Sequence, residues 1–304
     1  CIGALTSGLG GEILAEMHAL KDIGCVGVAN AGRVIRDSNV LKNAMAYASS
    51  LDMTVFLNAE DPWLGAPGSM HEGAVSTRLG IPGIPAAAEL IGLGRDLLLV
   101  EEEGVRAHFR TLSCGRSTKF LKDARKAGLA VTSDVGIAHL FLCDEDIGSF
   151  DAAYHVRPPF RSRRDRAQLR KSLREGQIEA LSAHHEPHDS DAKAAPFSAT
   201  EPGISGFDSF LPLMLELVDD GVMDLKRAIT TAAVEPARIL GLRSGVIGVG
   251  DAADICIFDP ALKWRLSEET MLSSGKNTPF IGRGLRGKVV MTLVDGRTVF
   301  EAKN

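Results

Sequence analysis

The chain has 304 residues, 45% of them hydrophobic, enough apolar material for one large α/β domain or two ordinary ones. Lys and Arg number 34 against 39 Asp and Glu, a formal charge of −5, and the one basic block, RSRRDR at 161–166, is expected to be a solvated loop, so nucleic acid and anionic membrane are disfavoured as partners. No apolar stretch is long enough to span a bilayer, no leader-like pattern opens the chain, and the five scattered cysteines (Cys1, Cys25, Cys114, Cys143, Cys256) contain no CxxC pair, so neither a disulfide framework nor a thiolate zinc site is indicated and a reducing cytoplasm is expected.

In chain order, short apolar runs alternate with amphipathic stretches. The runs are CIGAL (1–5), CVGVAN (25–30), TVFLN (54–58), VRAHFRTLS (105–113), LAVTSDV (129–135) and IEALSAHH (178–185). Continuous apolar runs of this length suit strands buried on both faces of a parallel sheet. Between them, DSNVLKNAMAYASSLD is predicted as a helix capped by Asp37 or Ser38, with Val40, Leu41, Ala44, Met45 and Ala48 at helical spacing. STKFLKDARKAG is predicted as a helix from Ser117 to a stop at Gly128. About six strand-then-helix units result, which points to a (β/α) barrel or a doubly wound sheet. The chain opens on Cys1 and not on Met, so an upstream segment is expected to have been removed or to lie outside this sequence.

After the sixth strand the pattern changes. FDSFLPLMLELVDDG (207–221) and LKRAITTAAVEPARILGL (225–242) are predicted amphipathic helices, with Pro236 opening a new helix and not lying within one. GVGDAADICIFDP and GKVVMTLVDGRTVF then alternate in strand fashion and contain Asp295-Gly296, a strong hairpin signal. The expected division is an α/β part over 1–243 and a small β segment over 244–304. The glycine-rich GLGG (8–11) and GVIGVG (245–250) lack the context of a nucleotide loop and are expected to be turns.

Several motifs share an order and spacing with one family: AEDPWL (59–64), LGIPGIPAAAE (79–89), RPPFRSRRDR (157–166), HHEPH (184–188), PGISGFDS (202–209), EPARILGL (235–242), and the closing GDAADICIFDP with SSGKNTPFIGRGLRGKVVMTLVDGRTVF. Together they resemble dihydroorotases, members of the cyclic amidohydrolase group, over essentially the whole chain. The resemblance implies a TIM-type (β/α) barrel, here lacking its first two strands, with CIGAL as the third. It also implies a small β-sandwich, which N-terminal strands usually complete.

The family's ring closure of carbamoyl aspartate to dihydroorotate uses one or two zinc ions to polarise a carbonyl and generate hydroxide, with an Asp passing the proton. Its ligands sit at the C-terminal ends of barrel strands. The resemblance implies a changed residue at each position present in this sequence. The fourth-strand Asp-Asp-Gly carboxylate falls on Asn30, ahead of Ala31 and Gly32, and the fifth-strand His falls on Asn58, two residues before Glu60-Asp61. The sixth-strand His falls on Thr111, ahead of Leu112 and Ser113. The eighth-strand motif Thr-Asp-His-Ala-Pro-His becomes Ala183 to His188, which puts His184 where the family has its general-base Asp. An amide or hydroxyl is a poor zinc ligand beside an imidazole, and none of these groups bridges two cations as a carboxylate does. Of the family's substrate contacts, His188, Pro202 and Gly203 match, while the Asn before the Pro-Pro pair is Arg157, which changes charge and volume.

The density of His184, His185 and His188 suggests a metal centre, but neighbouring side chains on an extended strand point to opposite faces, and zinc needs three or four placed ligands. They are read mainly as a remnant, with a mononuclear metal site and a lone general base as the other possibilities. His139, in GIAHL, matches a retained family His and is expected to be structural; Cys114, beside Ser113, is expected to be a buried thiol. The resemblance implies a catalytically inactive dihydroorotase-like protein of pyrimidine biosynthesis, without a bound cofactor (zinc in active members). Such proteins act as a structural subunit in a hetero-oligomer with aspartate transcarbamoylase. The alternatives are an active dihydroorotase or related zinc-dependent cyclic amidohydrolase, and a small-molecule sensor using His188 and Arg157.

Overall fold

The structure, a computed structural model, describes residues 1–302 and contains two compact units. The first comprises Cys1–Val135, Leu142–Asp146 and Pro158–Glu179; the second comprises Gly136–Phe141, Ile147–Arg157 and Ala180–Asn304.

The first unit carries the parallel strands β1 (Gly3–Ala4), β2 (Gly27–Ala29), β3 (Thr54–Leu57), β4 (Ala107–Phe109) and β5 (Val131–Gly136, its last residue counted with the second unit). They lie side by side in chain order, in the registers Gly3↔Val28, Gly27↔Thr54, Val55↔Ala107 and Phe109↔Ser133. Every residue of β2, β3 and β4 is buried, which is why these runs read as continuous apolar sequence and not as alternation. Each strand is shorter than its apolar run, and the residues left over form the turns that carry the site positions.

The crossovers are helical. α1 (Met17–Asp22) joins β1 to β2, and α2 (Ser38–Ser50) joins β2 to β3 and buries Leu41, Ala44, Met45 and Ala48 at i, i+3, i+4 and i+7. Asp37 caps α2 by accepting hydrogen bonds from the amides of Asn39 (2.7 Å) and Val40 (3.4 Å). α3 (Ala86–Glu103) precedes β4, α4 (Ser117–Lys126) precedes β5, and α5 (Arg163–Arg174) follows β5.

α5 corrects the expectation of a solvated loop at RSRRDR. Ser162 caps the helix by accepting from the Asp165 amide at 3.2 Å, and Arg161 is only 4% exposed. Arg161 donates to Ser113 Oγ at 3.0 Å and to the Ile84 carbonyl at 2.5 Å. Charge density in the sequence hid one buried arginine among several exposed ones. All five cysteines are free thiols, and Cys1 and Cys25 bring their sulfurs to 3.2 Å.

In the second unit, β6 (Ala180–Ser182) leads into the histidine-rich loop and α6 (Phe207–Asp219) follows it. The run from Leu225 to Ile239 stays helical through a π turn at Thr230–Val234, with Pro236 in the first turn of the segment Glu235–Ile239, so the proline opens a segment without breaking the winding. The C-terminal strands β7 (Ile255–Arg265), β8 (Gly284–Val294) and β9 (Arg297–Glu301) form an antiparallel sheet in the order β9-β8-β7, and α6 packs on β8. Asp295 (φ 50°) and Gly296 (φ 73°) make the predicted hairpin turn. Among the described residues no helix is long and apolar enough to cross a membrane.

Candidate functional site

In the first unit the expected ligand positions stand immediately after strands. Asn30 follows β2 and is buried in a turn that Ala31 (φ 46°) and Gly32 (φ 78°) make left-handed. Its amide is fully engaged: Oδ1 accepts from Thr6 Oγ1 at 2.6 Å, and Nδ2 donates to the carbonyls of Arg33 (3.1 Å) and Leu9 (3.4 Å). Asn58, after β3, is half-buried and lines a small cavity of about 20 Å³ with Asn30, Arg95 and Asp96. That volume suits a single water. Asp96, held by Arg95 at 2.8 Å, has its carboxyl pushed up to about 6 by burial, against the pull of the arginine.

Thr111, two residues after β4, adopts φ 49°, an uncommon conformation for a β-branched residue. Asp134 holds the turn in place: its Oδ1 accepts from the Thr111 amide at 3.0 Å and its carbonyl accepts from the Leu112 amide at 2.9 Å. Asp134 Oδ2 also lies 2.9 Å from His108 Nε2, whose Nδ1 lies 2.8 Å from Thr132 Oγ1. Cys114 is fully buried, and burial with nearby Glu89 and Asp165 pushes its thiol up to about 12, an inert state.

In the second unit, β6 ends at Ser182 and the chain turns at His184 (φ 47°). The His184 side chain is 5% exposed, with Nε2 3.9 Å from Glu186 Oε1 and its ring centroid 5.6 Å from that of buried His139. His185 goes elsewhere: its ring stacks on Phe207 at 3.9 Å, and its Nδ1 accepts from the amides of Gly206 (3.2 Å) and Phe207 (3.4 Å) at the start of α6. The three histidines of the cluster therefore have three different surroundings.

The third, His188, donates from Nε2 to the Pro202 carbonyl at 3.0 Å. Gly203 (φ 152°) sits so close that a Cβ there would lie 2.7 Å from the Glu186 carbonyl oxygen and 2.8 Å from His188 Nε2. Asn277 locks the arrangement: Oδ1 accepts from the His188 amide at 2.8 Å, and Nδ2 donates to the carbonyls of Glu186 and Gly203, both at 3.1 Å. The Gly203 amide donates to the His155 carbonyl at 2.8 Å, and Lys193 Nζ donates to the carbonyls of His155 (3.1 Å) and Glu201 (2.6 Å). Burial brings the Lys193 amine down to about 8. Arg157 is half-buried, two residues beyond His155.

The resemblance gave His188, Pro202 and Gly203 as substrate-contact positions; the structure brings the three into contact with one another. It missed Asn277 and Lys193, although Asn277 lies inside the quoted SSGKNTPF, because their partners are distant carbonyls that leave no mark on sequence spacing. Zinc does not fit the side chains at the first unit's positions. Two neutral amides and a hydroxyl are weak donors for it, and the Asn30 oxygen is already committed to Thr6. Among the described residues no three His, Cys, Asp or Glu side chains are placed to hold a metal ion.

The chain matches the amidohydrolase family over residues 12–299. It is 45% identical to a dihydroorotase-like protein of Pseudomonas aeruginosa over 99% of this chain and 71% of that protein. It is 39% identical to a dihydroorotase of Syntrophus aciditrophicus over 99% of this chain and 70% of that one. Among solved structures, an L-hydantoinase (dihydropyrimidinase) from Arthrobacter aurescens superposes with a TM-score of 0.86 at 23% identity, covering 99% of this chain and 69% of that chain. A dihydropyrimidinase from Brevibacillus agri gives 0.81 at 22% identity, covering 94% and 68%. These structures share the TIM-type α/β fold. With the sequence relatives named dihydroorotase-like protein and dihydroorotase, they lead to the conclusion that this chain belongs to the amidohydrolase family, among the dihydroorotases and their like.

Proposed function

We propose that the chain is a non-catalytic dihydroorotase-like subunit of pyrimidine biosynthesis, acting in the cytoplasm as a structural partner of aspartate transcarbamoylase. The observation that carries this reading is the donor set at the strand ends. By the family resemblance Asn30, Asn58 and Thr111 fall at the positions of an anionic bridge and two imidazoles, and the Asn30 amide is satisfied by three protein hydrogen bonds. Without a Lewis acid to polarise the ring amide, His184 has no activated carbonyl to serve as a base. With the chemistry lost, the retained barrel core and loops serve folding and subunit contacts.

The test uses the full-length protein. Its zinc content by elemental analysis should be well below one ion per chain, dihydroorotate hydrolysis should be absent, and the protein should co-purify with the transcarbamoylase. Stoichiometric zinc together with turnover overturns the reading. The second reading, an active dihydroorotase or related cyclic amidohydrolase, draws support from the intact His188, Pro202 and Gly203 assembly. By the resemblance the family's first barrel strand supplies a His-x-His metal pair, which this reading places upstream of Cys1, and the same zinc and turnover measurement decides it.

A further inference from the structure

The thiols of Cys1 and Cys25 lie 3.2 Å apart, sulfur to sulfur, and neither is part of the site described above. Two adjacent parallel strands hold them there. The register Gly3↔Val28 and Ala4↔Ala29 is tied by the Val26 amide donating to the Cys1 carbonyl at 2.9 Å and the Leu5 amide donating to the Ala29 carbonyl at 2.8 Å. The Cys25 amide donates to the Leu20 carbonyl at 3.0 Å, which anchors the second thiol from the α1 side. A disulfide needs its sulfurs at roughly 2.05 Å, so closure asks for about 1.2 Å of approach, within the range of side-chain rotation and small strand adjustment. The other cysteines are differently placed: Cys114 and Cys143 are buried, and Cys256 lies in β7 of the second unit.

The geometry points to a modification site: Cys1 and Cys25 are a thiol pair that a peroxide-class oxidant converts to an intramolecular disulfide clamping β1 to β2. One thiolate attacks hydrogen peroxide, takes one oxygen as a sulfenic acid and releases hydroxide. The neighbouring thiol then displaces that oxygen, which leaves as water. Overall two thiols and one peroxide give one disulfide and two waters, with the sulfurs oxidised and the peroxide reduced. In a reducing compartment such a bond is transient and reversed by a thiol reductant, which makes it a redox response and not a permanent staple. The clamp lies in the same strand pair that ends in the Thr6–Asn30 hydrogen bond.

The test treats the reduced full-length protein with a small excess of hydrogen peroxide, blocks the remaining thiols, and maps peptides by mass spectrometry. The expected result is a Cys1–Cys25 crosslinked peptide two hydrogens lighter than the separate peptides. The number of thiols contributed by this chain and titrated in denaturant should fall from five to three and be restored by dithiothreitol. The C25S variant should keep its circular dichroism spectrum and lose the crosslink. A sulfinic acid or mixed disulfide at Cys1 in place of the crosslink, a bridge between two molecules, or an unchanged thiol count overturns the assignment. A crosslink signal that survives in C25S does the same.

Discussion

Thr200 Oγ1 gives its own hydrogen to the Phe197 carbonyl at 2.8 Å, so it must accept from His155 Nδ1, also at 2.8 Å, and the buried imidazole is held as the neutral Nδ1–H form. Burial, with the charges of Lys193 and Arg157, pushes this histidine down to about 4. His185 is lowered as well, chiefly by burial, and its Nδ1 can cap α6 only while unprotonated. For both groups the unfolded chain binds the proton more readily than the folded one. Their contribution is therefore complete above the unfolded value near 6.5 and is lost as pH falls through the lower folded value. Urea unfolding should show stability falling between pH 7 and pH 4. The H155N variant, which keeps a donor near the Nδ1 position, should flatten part of that slope, whereas an unchanged slope in H155N would rule out His155 as a source. At the same scale, G203A should cost about 1–3 kcal/mol, because its methyl group meets the Glu186 carbonyl, while G221A, also left-handed at φ 66° but with open space around the new carbon, should lose less. Single residues were legible in the sequence where a motif named them, as with His188 and Gly203. They were not where the role lies in geometry: Asn277 and His155 act through hydrogen bonds to loops far away in the chain.

At the level of elements, the strands were readable because parallel strands covered on both faces leave uninterrupted apolar runs, and α2 because its buried stripe is regular. What the pattern could not show is how the ends of elements are fastened. Glu89, in the first turn of α3, is buried and accepts from the amides of Ser113 and Cys114, from the Ser113 hydroxyl, and from Ser117 Oγ at 2.6 Å. Arg161 reaches the same Ser113 at 3.0 Å, so one carboxylate and one guanidinium secure the chain between β4 and α4 to α3 and to the entry of α5. An acid inside LGIPGIPAAAE looks like ordinary helix N-terminal charge until its donors are seen. E89Q keeps the shape but places an amide NH₂ against groups that also donate. It should lose about 3–5 kcal/mol in chemical denaturation, the cost of breaking a buried charged network. A loss under about 1 kcal/mol would mean that the network is not a determinant of stability.

For the whole molecule, the family architecture was legible because motifs spread over the chain kept their order, whereas what Asn30, Asn58 and Thr111 can bind follows from donor chemistry that composition does not reveal. This leads to a prediction about metal and stability together. An enzyme holding zinc a thousandfold above its dissociation constant gains about 4 kcal/mol of native-state stability, and in a protein of this size each kcal/mol moves the melting temperature by roughly 2–4 °C. Chelation should therefore lower the melting temperature of a metal-loaded relative by on the order of 10 °C. In this protein the Asn30 oxygen is bound to Thr6, the Thr111 backbone is held by Asp134, and His184 lies against His139 and Glu186. On the proposed non-catalytic reading, no ion is needed to hold these turns. Thermal melts of the full-length protein with EDTA and with added zinc should superimpose to within about 1 °C, a shift worth only a few tenths of a kcal/mol at this chain length. A fall of several degrees in EDTA, reversed by zinc, would show that a metal contributes to folding and would remove the donor-set argument for a non-catalytic protein.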